Sequence, residues 1–403
     1  MQPLTGVVKD YAWGSPTAIP TLLNRPADGR PQAEYWLGAH PGGPAVLTRL
    51  DPDTADPTLG AWLRAHPEAL GETDRQRFGD QLPFLLKVLA AEAPLSLQAH
   101  PTAADAAAGF ERENTAGVPI DAPERSFKDP WPKPELLVAL SPFEALSGFR
   151  HPARTLELFE GLGVPPDVLG LVLGPLRHRA AGQAAMAEVF LDCLTPADER
   201  GDVLVEVVAA AARHMKEPGE LGRFARLAVL LDEHYPGDPS LLAALLLNHV
   251  TLYPGDGLYT APGTLHAYLS GTGIEIMANS DNVLRGGLTP KHIDHAALVA
   301  CVDFEDVDPP LVAPVADDDA VWRYPTPAPQ FQLWRLEPAL GVPVRLPGFE
   351  RARVLLVVHG EVEARSFDGA SLTLTQGQAC LIGADESVQL AGAALAFLAS
   401  SGR

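Results

Sequence analysis

Four side chains in this sequence have the chemistry to hold a metal ion together: Gln98, His100, Glu135 and His266. Two imidazoles and a carboxylate suit zinc, with a fourth oxygen ligand and a position left open for water or substrate. The glutamine oxygen is neutral, so the set carries one negative charge. A zinc ion bound there keeps a net positive charge, which polarises a hydroxyl or carbonyl oxygen. The four lie far apart in the chain, so spacing alone does not select them.

Charged residues gather around the same stretches. Residues 252–291 read LYPGDGLYTAPGTLHAYLSGTGIEIMANSDNVLRGGLTPK, and Glu275, Asp281, Arg285 and Lys291 interrupt an otherwise apolar and small-residue run. Lys87 interrupts FLLKVLA. Charges in such surroundings are paired, metal-bound or turned into a polar pocket. Ser96, Gln98 and His100 alternate with Leu95, Leu97 and Ala99, which puts the three polar residues on one face of a strand. Lys133 is clamped between Pro132 and Pro134, and Glu135 opens the apolar run LLVAL.

The elements that must position these residues are short strands broken by turns. Pro254-Gly255-Asp256 and Pro262-Gly263-Thr264 are turn signals, and His266 follows the second at once. Residues 1–50 read as short strands and turns, with Trp13 expected in a core, a pocket wall being the alternative, and His40 in a loop. Thr58 to Leu70 has helical spacing. Residues 101–127 are expected to form a loop long enough to act as a lid. From about 151 to 249 the pattern changes to Ala/Leu/Arg-rich helices, one of them opened by Asp238 as N-cap and Pro239 in the first turn. His151, His178, His214, His234 and His249 have no ligand-like spacing there and read as structural or surface residues. Beyond Lys291 strands return without inward polar residues. His359-Gly360-Glu361 reads as a turn and Asp317–Asp319 as a solvated linker.

The chain resembles the type I mannose-6-phosphate isomerases (phosphomannose isomerases) of the cupin superfamily. The motifs that carry the resemblance are PFLLKVLAAEAPLSLQAHP at 83–101, KPE at 133–135 and GTLHAYLSGTGIEIMANSDNVLRGGLTPK at 263–291. It covers the whole chain and thins out from about 295 onward. It implies a mainly β fold of two cupin (jelly-roll) barrels plus an α-helical domain. The expected division is a catalytic cupin domain from 1–150 and 250–315, a helical insertion at 151–249, and a C-terminal cupin-like domain at 316–403. It implies one zinc ion per chain on Gln98, His100, Glu135 and His266. Catalytic roles are expected for Arg285, Asp281 and Lys133, and substrate contacts for Lys87, Ser96, Tyr268, Glu275 and Lys291. The implied reaction interconverts mannose 6-phosphate and fructose 6-phosphate through a cis-enediol. One departure stands out: many members of the family carry Asn-His before Lys-Pro-Glu, where this chain has Trp131-Pro132. A cupin metal oxygenase and a metal-bearing sugar-phosphate sensor are the alternative readings. Iron oxygenases favour two histidines and one carboxylate, a pattern from which Gln98 departs.

Composition limits the classes. The chain has 403 residues, 39 prolines and 36 glycines, and a formal net charge of −21. Such a charge argues against nucleic acid as a partner. It also makes any pocket that collects lysine and arginine a place for an anion. No apolar run approaches the roughly 20 residues that span a bilayer. The N-terminus lacks a signal-peptide pattern, and Cys193, Cys301 and Cys380 form no CxxC pair. A cytoplasmic monomer acting on a small anionic sugar phosphate is expected.

Overall fold

The computed structural model describes residues 1–49, 56–177, 182–194 and 198–403. It contains two large antiparallel sheets and a helical region. The first sheet, of 11 strands, is built around the long strand His266–Ala278. The C-terminal half of that strand pairs with Phe84–Ala91 on one side and Glu135–Ala139 on the other. Its N-terminal half pairs with Phe143–Phe149 and, at His266, with Gln98 of the short strand Leu97–Ala99. A register shift between Tyr268 and Ser270 separates the halves. Glu34–Gly38 pairs with the far edge of Phe84–Ala91.

The period-two alternation of a strand explains how one segment serves two environments. In Phe84–Ala91, Leu86, Val88 and Ala90 pack against Val354, Leu356 and Phe397 in the core between the two sheets. Leu89 and Ala91 face the other way, into a core with Leu137, Phe143 and Tyr268. Lys87 shares that second face.

The second sheet, of 10 strands, takes most of its strands from Val315 onward. Two short strands from the start of the chain, Gln2–Thr5 and Val46–Leu47, also belong to it. Two expectations are corrected here. His359-Gly360-Glu361 is not a turn, because the strand Arg353–Ser366 runs straight through it with a register shift between Val357 and His359. Gly360 is required by that irregularity: its φ is +84°, and a Cβ there would lie 2.2 Å from the Ala393 carbonyl oxygen. Asp317 is no linker residue either. It lies in the strand Val315–Asp318, pairs with Arg323 at 3.1 Å and accepts a hydrogen bond from Trp334 Nε1 at 3.0 Å.

The helical region includes Pro152–Gly161, Gln183–Leu194, Asp198–His214 and Gly219–His234. Its apolar faces share one core with Leu97, Ala99, Leu265, Ala267 and Leu284. These are the neighbours of Gln98, His266 and Arg285, so the helices form the back wall of the strands that carry those residues. The helix expected to open with Asp238 begins one residue later: Ser240–Ala244 has Pro239 at its N-cap. Asp238 instead accepts from Ser240 N (2.9 Å) and Ser240 Oγ (2.6 Å). His151 caps a helix, His214 pairs with Glu217, and His249 pairs with Glu144 at 2.7 Å. His178 lies outside the described residues.

The expected lid at 101–127 is also corrected. Ala103–Thr115 is a helix with Thr102 as its N-cap. Gly109 lets it approach closely, since a Cβ there would lie 2.4 Å from the Phe127 ring. Glu113 accepts from the backbone N–H groups of Ser126 and Phe127 and pairs with Arg125 at 2.8 Å. These contacts lie within 101–127, so the segment is a helix folded against its own return and not the loop expected. The three cysteines are buried and free. Among the described residues no helix is long and apolar enough to cross a membrane.

Candidate active site

His266 stands at the start of its strand because the preceding turn can form. Gly263 has φ +89°, the left-handed conformation that favours glycine, and its N–H donates to the His100 carbonyl at 2.8 Å. That bond ties the turn to the second histidine. His100 and His266 are both fully buried, and Glu135 is 2% exposed. The ligand-capable atoms of the three lie within 4.8 Å of one another. Gln98, opposite His266 in the register, brings its amide to 3.3 Å from His266 Nε2.

The arrangement fits a cation. His100 Nδ1 lies 2.8 Å from the Asn282 carbonyl, and His266 Nδ1 lies 3.0 Å from the Thr264 carbonyl. A carbonyl only accepts, so each Nδ1 carries the proton and each Nε2 presents a lone pair. Those lone pairs face Glu135, at 3.2 Å from His100 and 3.4 Å from His266. Lone pairs directed at a buried carboxylate repel unless a positive charge sits between them. His100 Nε2 and Glu135 Oε2 have no hydrogen-bond partner, which is what ligand atoms look like before the ion is counted. Turning the Gln98 amide by half a turn presents its oxygen to the same point. Burial, outweighing the attraction of Glu135, depresses the His100 pKa to about 4, so the imidazole is neutral and ready to ligate. Burial opposes the Glu135 charge, but the Lys133 ammonium beside it favours the carboxylate, and the carboxyl is held well below the usual range.

Around this centre opens a cleft of about 440 Å³. Lys87, Arg125, Lys128, Lys133, Arg285 and Lys291 line it, against Glu34, Glu135, Glu275 and Asp281. Cations outnumber carboxylates here, in a chain of net charge −21. Lys87, directly opposite Glu275 in the ladder, lies 3.1 Å from Glu275 and 3.3 Å from Glu34. Burial opposes its charge, but the two carboxylates win and raise its pKa. Tyr268 donates to the other oxygen of Glu275 at 3.0 Å, and burial with the nearby carboxylates keeps its phenol protonated. Lys133 lies 3.2 Å from Glu135.

Arg285, Lys128 and Lys291 have no carboxylate within 4 Å among the described residues. Burial lowers the Arg285 pKa. Ser96 and Gln98 both line the cleft, as their alternation requires. Trp13, expected in a core, lines the cleft as well and stacks on Tyr11 with centroids 5.7 Å apart. Asp281 pairs with His40 at 3.3 Å, and that hydrogen bond is the main cause of its lowered pKa.

Sequence reasoning missed Glu34, His40, Asp129 and Asn282. Glu34 had a signal: a lone carboxylate inside the aromatic strand EYWLG, buried throughout. His40 is 3% exposed although it follows the end of that strand. Trp131, where the sequence departs from the motif, is 45% exposed, and its carbonyl rather than its side chain faces the site, accepting from Asn282 Nδ2 at 2.9 Å.

Known proteins share the sequence pattern and the fold. The phosphomannose isomerase type I catalytic domain matches residues 1–152. Mannose-6-phosphate isomerase of Salmonella typhimurium is 38% identical over 393 residues, covering 96% of each chain. The Homo sapiens enzyme of that name is 31% identical over 416 residues, covering 96% of this chain and 94% of its own. A crystal structure of the Salmonella typhimurium mannose 6-phosphate isomerase, with its substrate fructose 6-phosphate and zinc bound, superposes with a TM-score of 0.87 at 35% identity, over 100% of both chains. On this identity across nearly the full length, the chain belongs to the type I phosphomannose isomerase family.

Proposed function

We propose that this chain is a zinc-dependent aldose–ketose isomerase that interconverts mannose 6-phosphate and fructose 6-phosphate. The observation that carries the reading is the buried His100–Glu135–His266 cluster opening on a cleft with unpaired cations. Gln98, His100, Glu135 and His266 would hold one zinc ion. When bound, zinc supplies a Lewis acid that polarises the oxygens of the sugar.

The remaining work falls to the side chains. A proton leaves C2 and returns at C1 through a cis-enediol, which needs a base, a stabiliser for the developing oxyanion and an anchor for the phosphate. Arg285, charged, half-buried and without a carboxylate partner, is the proposed stabiliser. Lys133, held by Glu135, is placed to donate to a sugar oxygen or to exchange a proton with it. Asp281 is the proposed proton carrier at the cleft mouth, with His40 behind it. Lys87, Ser96, Tyr268 and Lys291 would contact substrate hydroxyls and phosphate, and Glu275 would hold Lys87 and Tyr268 in place.

The two sheets are proposed to close as two cupin barrels. The domain division is proposed as 1–150 with 250–315, then 151–249, then 316–403, with Gln2–Thr5 and Val46–Leu47 completing the last unit. A cytoplasmic monomer is the proposed state.

The test is fructose 6-phosphate formation from mannose 6-phosphate by the purified protein, before and after chelation and again after zinc is restored. Turnover lost with the metal and regained with zinc supports the reading. A folded, zinc-loaded protein without turnover would sink it.

A further inference from the structure

We infer that Asn282 is a positioning residue for the metal centre, clasping the loop that carries Lys133 and Glu135 to the histidine His100. The inference rests on the reading of Gln98, His100, Glu135 and His266 as zinc ligands.

Residues 128–134, KDPWPKP, have a prolyl nitrogen at 130, 132 and 134. Proline has no N–H to donate, so this segment is poorly equipped to hold itself in place. It must be held from outside, and Asn282 does so. The Asn282 side chain is fully buried. Its Oδ1 accepts from the N–H of Lys128 at 2.7 Å and of Asp129 at 3.3 Å. Its Nδ2 donates to the carbonyls of Asp129 at 2.7 Å and Trp131 at 2.9 Å. One amide thus supplies donors and acceptors to a segment in which three backbone nitrogens, those of Pro130, Pro132 and Pro134, have no proton to donate. Two residues beyond Trp131 the segment reaches Lys133, and Glu135 follows the segment directly.

The backbone of the same residue reaches the other side of the centre. The Asn282 carbonyl accepts the Nδ1 proton of His100 at 2.8 Å. That bond fixes which nitrogen of His100 is free to ligate and how the ring is turned. Asp129 completes the clasp in the reverse direction. Its carboxylate accepts from the N–H of Asp281 at 2.8 Å and from Ser280 Oγ at 2.8 Å. Two loops distant in sequence are therefore cross-bonded through Asn282 and Asp129. Strand Leu284–Gly287 follows directly, with Arg285 opposite Gln98 in the ladder. Only an amide fits position 282. A carboxylate of the same shape would turn an acceptor toward two carbonyl oxygens and the Asp129 carboxylate.

The experiment compares wild type with Asn282→Ala and Asn282→Asp. Zinc dissociation constants are measured by chelator competition, visible spectra are recorded after cobalt(II) replaces zinc, and the urea midpoint of the metal-free protein serves as a stability control. The expected result is zinc binding weakened by about 10–100-fold, altered cobalt absorption, and a kcat that falls more than KM rises. A merely structural residue would move the urea midpoint and leave zinc affinity and the cobalt spectrum of the folded protein untouched. That outcome overturns the inference. Wild-type protein that binds no zinc would overturn the ligand assignment itself, which is a separate failure. If the Asn282 variants do not fold, Asp129→Asn carries the same readouts. It keeps the shape of the clasp and weakens one side of it.

Discussion

The interiors of the two sheets bury charge in opposite ways. Behind the first, Lys87 faces two carboxylates at 3.1 and 3.3 Å, and the group opens on a cleft. Behind the second, Leu355, Val357, Cys380, Leu390 and Leu398 form an apolar core. The second sheet also buries a cation. Arg353 is fully buried, but it donates to the backbone carbonyls of Pro347 (3.2 Å), Gly383 (3.1 Å) and Glu386 (2.5 Å). Burial depresses its pKa to about 10. Those carbonyls take up the two terminal nitrogens of Arg353 and make it a loop anchor. A buried charge alone is therefore no sign of a site. What distinguishes the first sheet is that its charges are balanced by other ionisable side chains around open volume.

The contrast can be broken by substitution, and the largest effect should come from a ligand. Glu135→Ala should abolish stoichiometric zinc binding and lower turnover by about three orders of magnitude or more. Metal analysis and kcat check both, and full zinc content would remove Glu135 from the centre. Next, Arg285→Ala should lower kcat by about 10²–10³ while zinc content stays full. Wild-type-like turnover would refute its role as the oxyanion stabiliser.

A matched pair then compares the two interiors directly. Lys87→Met leaves Glu34 and Glu275 buried without their cation and should cost about 3–5 kcal/mol, with loss of turnover. Leu355→Ala should cost about 2–5 kcal/mol and leave kcat per folded molecule unchanged. Denaturant titrations and steady-state rates separate the two, and an equal effect on kcat would mean that the interiors are not functionally distinct.

The smallest effect concerns Cys380, whose thiol burial pushes up to about 12. The unfolded thiol ionises first as pH rises past its ordinary value, so the stability contributed is present at neutral pH and lost in alkali. At pH 8 the native protein should resist alkylation at Cys380. Labelling without unfolding would show that the second core is open to solvent.

The candidate ligands left marks in the sequence: Gln98 and His100 alternate with apolar residues in LSLQAH, and Glu135 and His266 open apolar strands. Lys87 and Glu275 were legible for the same reason. Asn282 and Asp129 were not, because they lie in loops with no periodicity and their role depends on a partner 153 residues away. The helix Ala103–Thr115 was misread as a loop because its alanine-rich face lacks a strong apolar stripe. The signal was there in the capping residue Thr102, which accepts from Asp105 N–H. At His359 the opposite error arose: a glycine required by a register shift inside a strand looks, in sequence, like a glycine in a turn. The helical region gave no functional signal because its contribution, backing the ligand strands, is made from behind.

Gln2–Thr5 hydrogen-bonds to Ala379–Ile382, so this pairing joins segments of very high sequence separation. The other side of Gln2–Thr5 pairs with Val46–Leu47, so until the distant strand docks one edge stays open, the kind of element that invites association with other chains. Its composition blunts that hazard. It is four residues long and contains Pro3, which lacks the N–H needed to nucleate an extended ladder. Closure of the second sheet therefore depends on a contact of high sequence separation, a kind that is slow to form in folding.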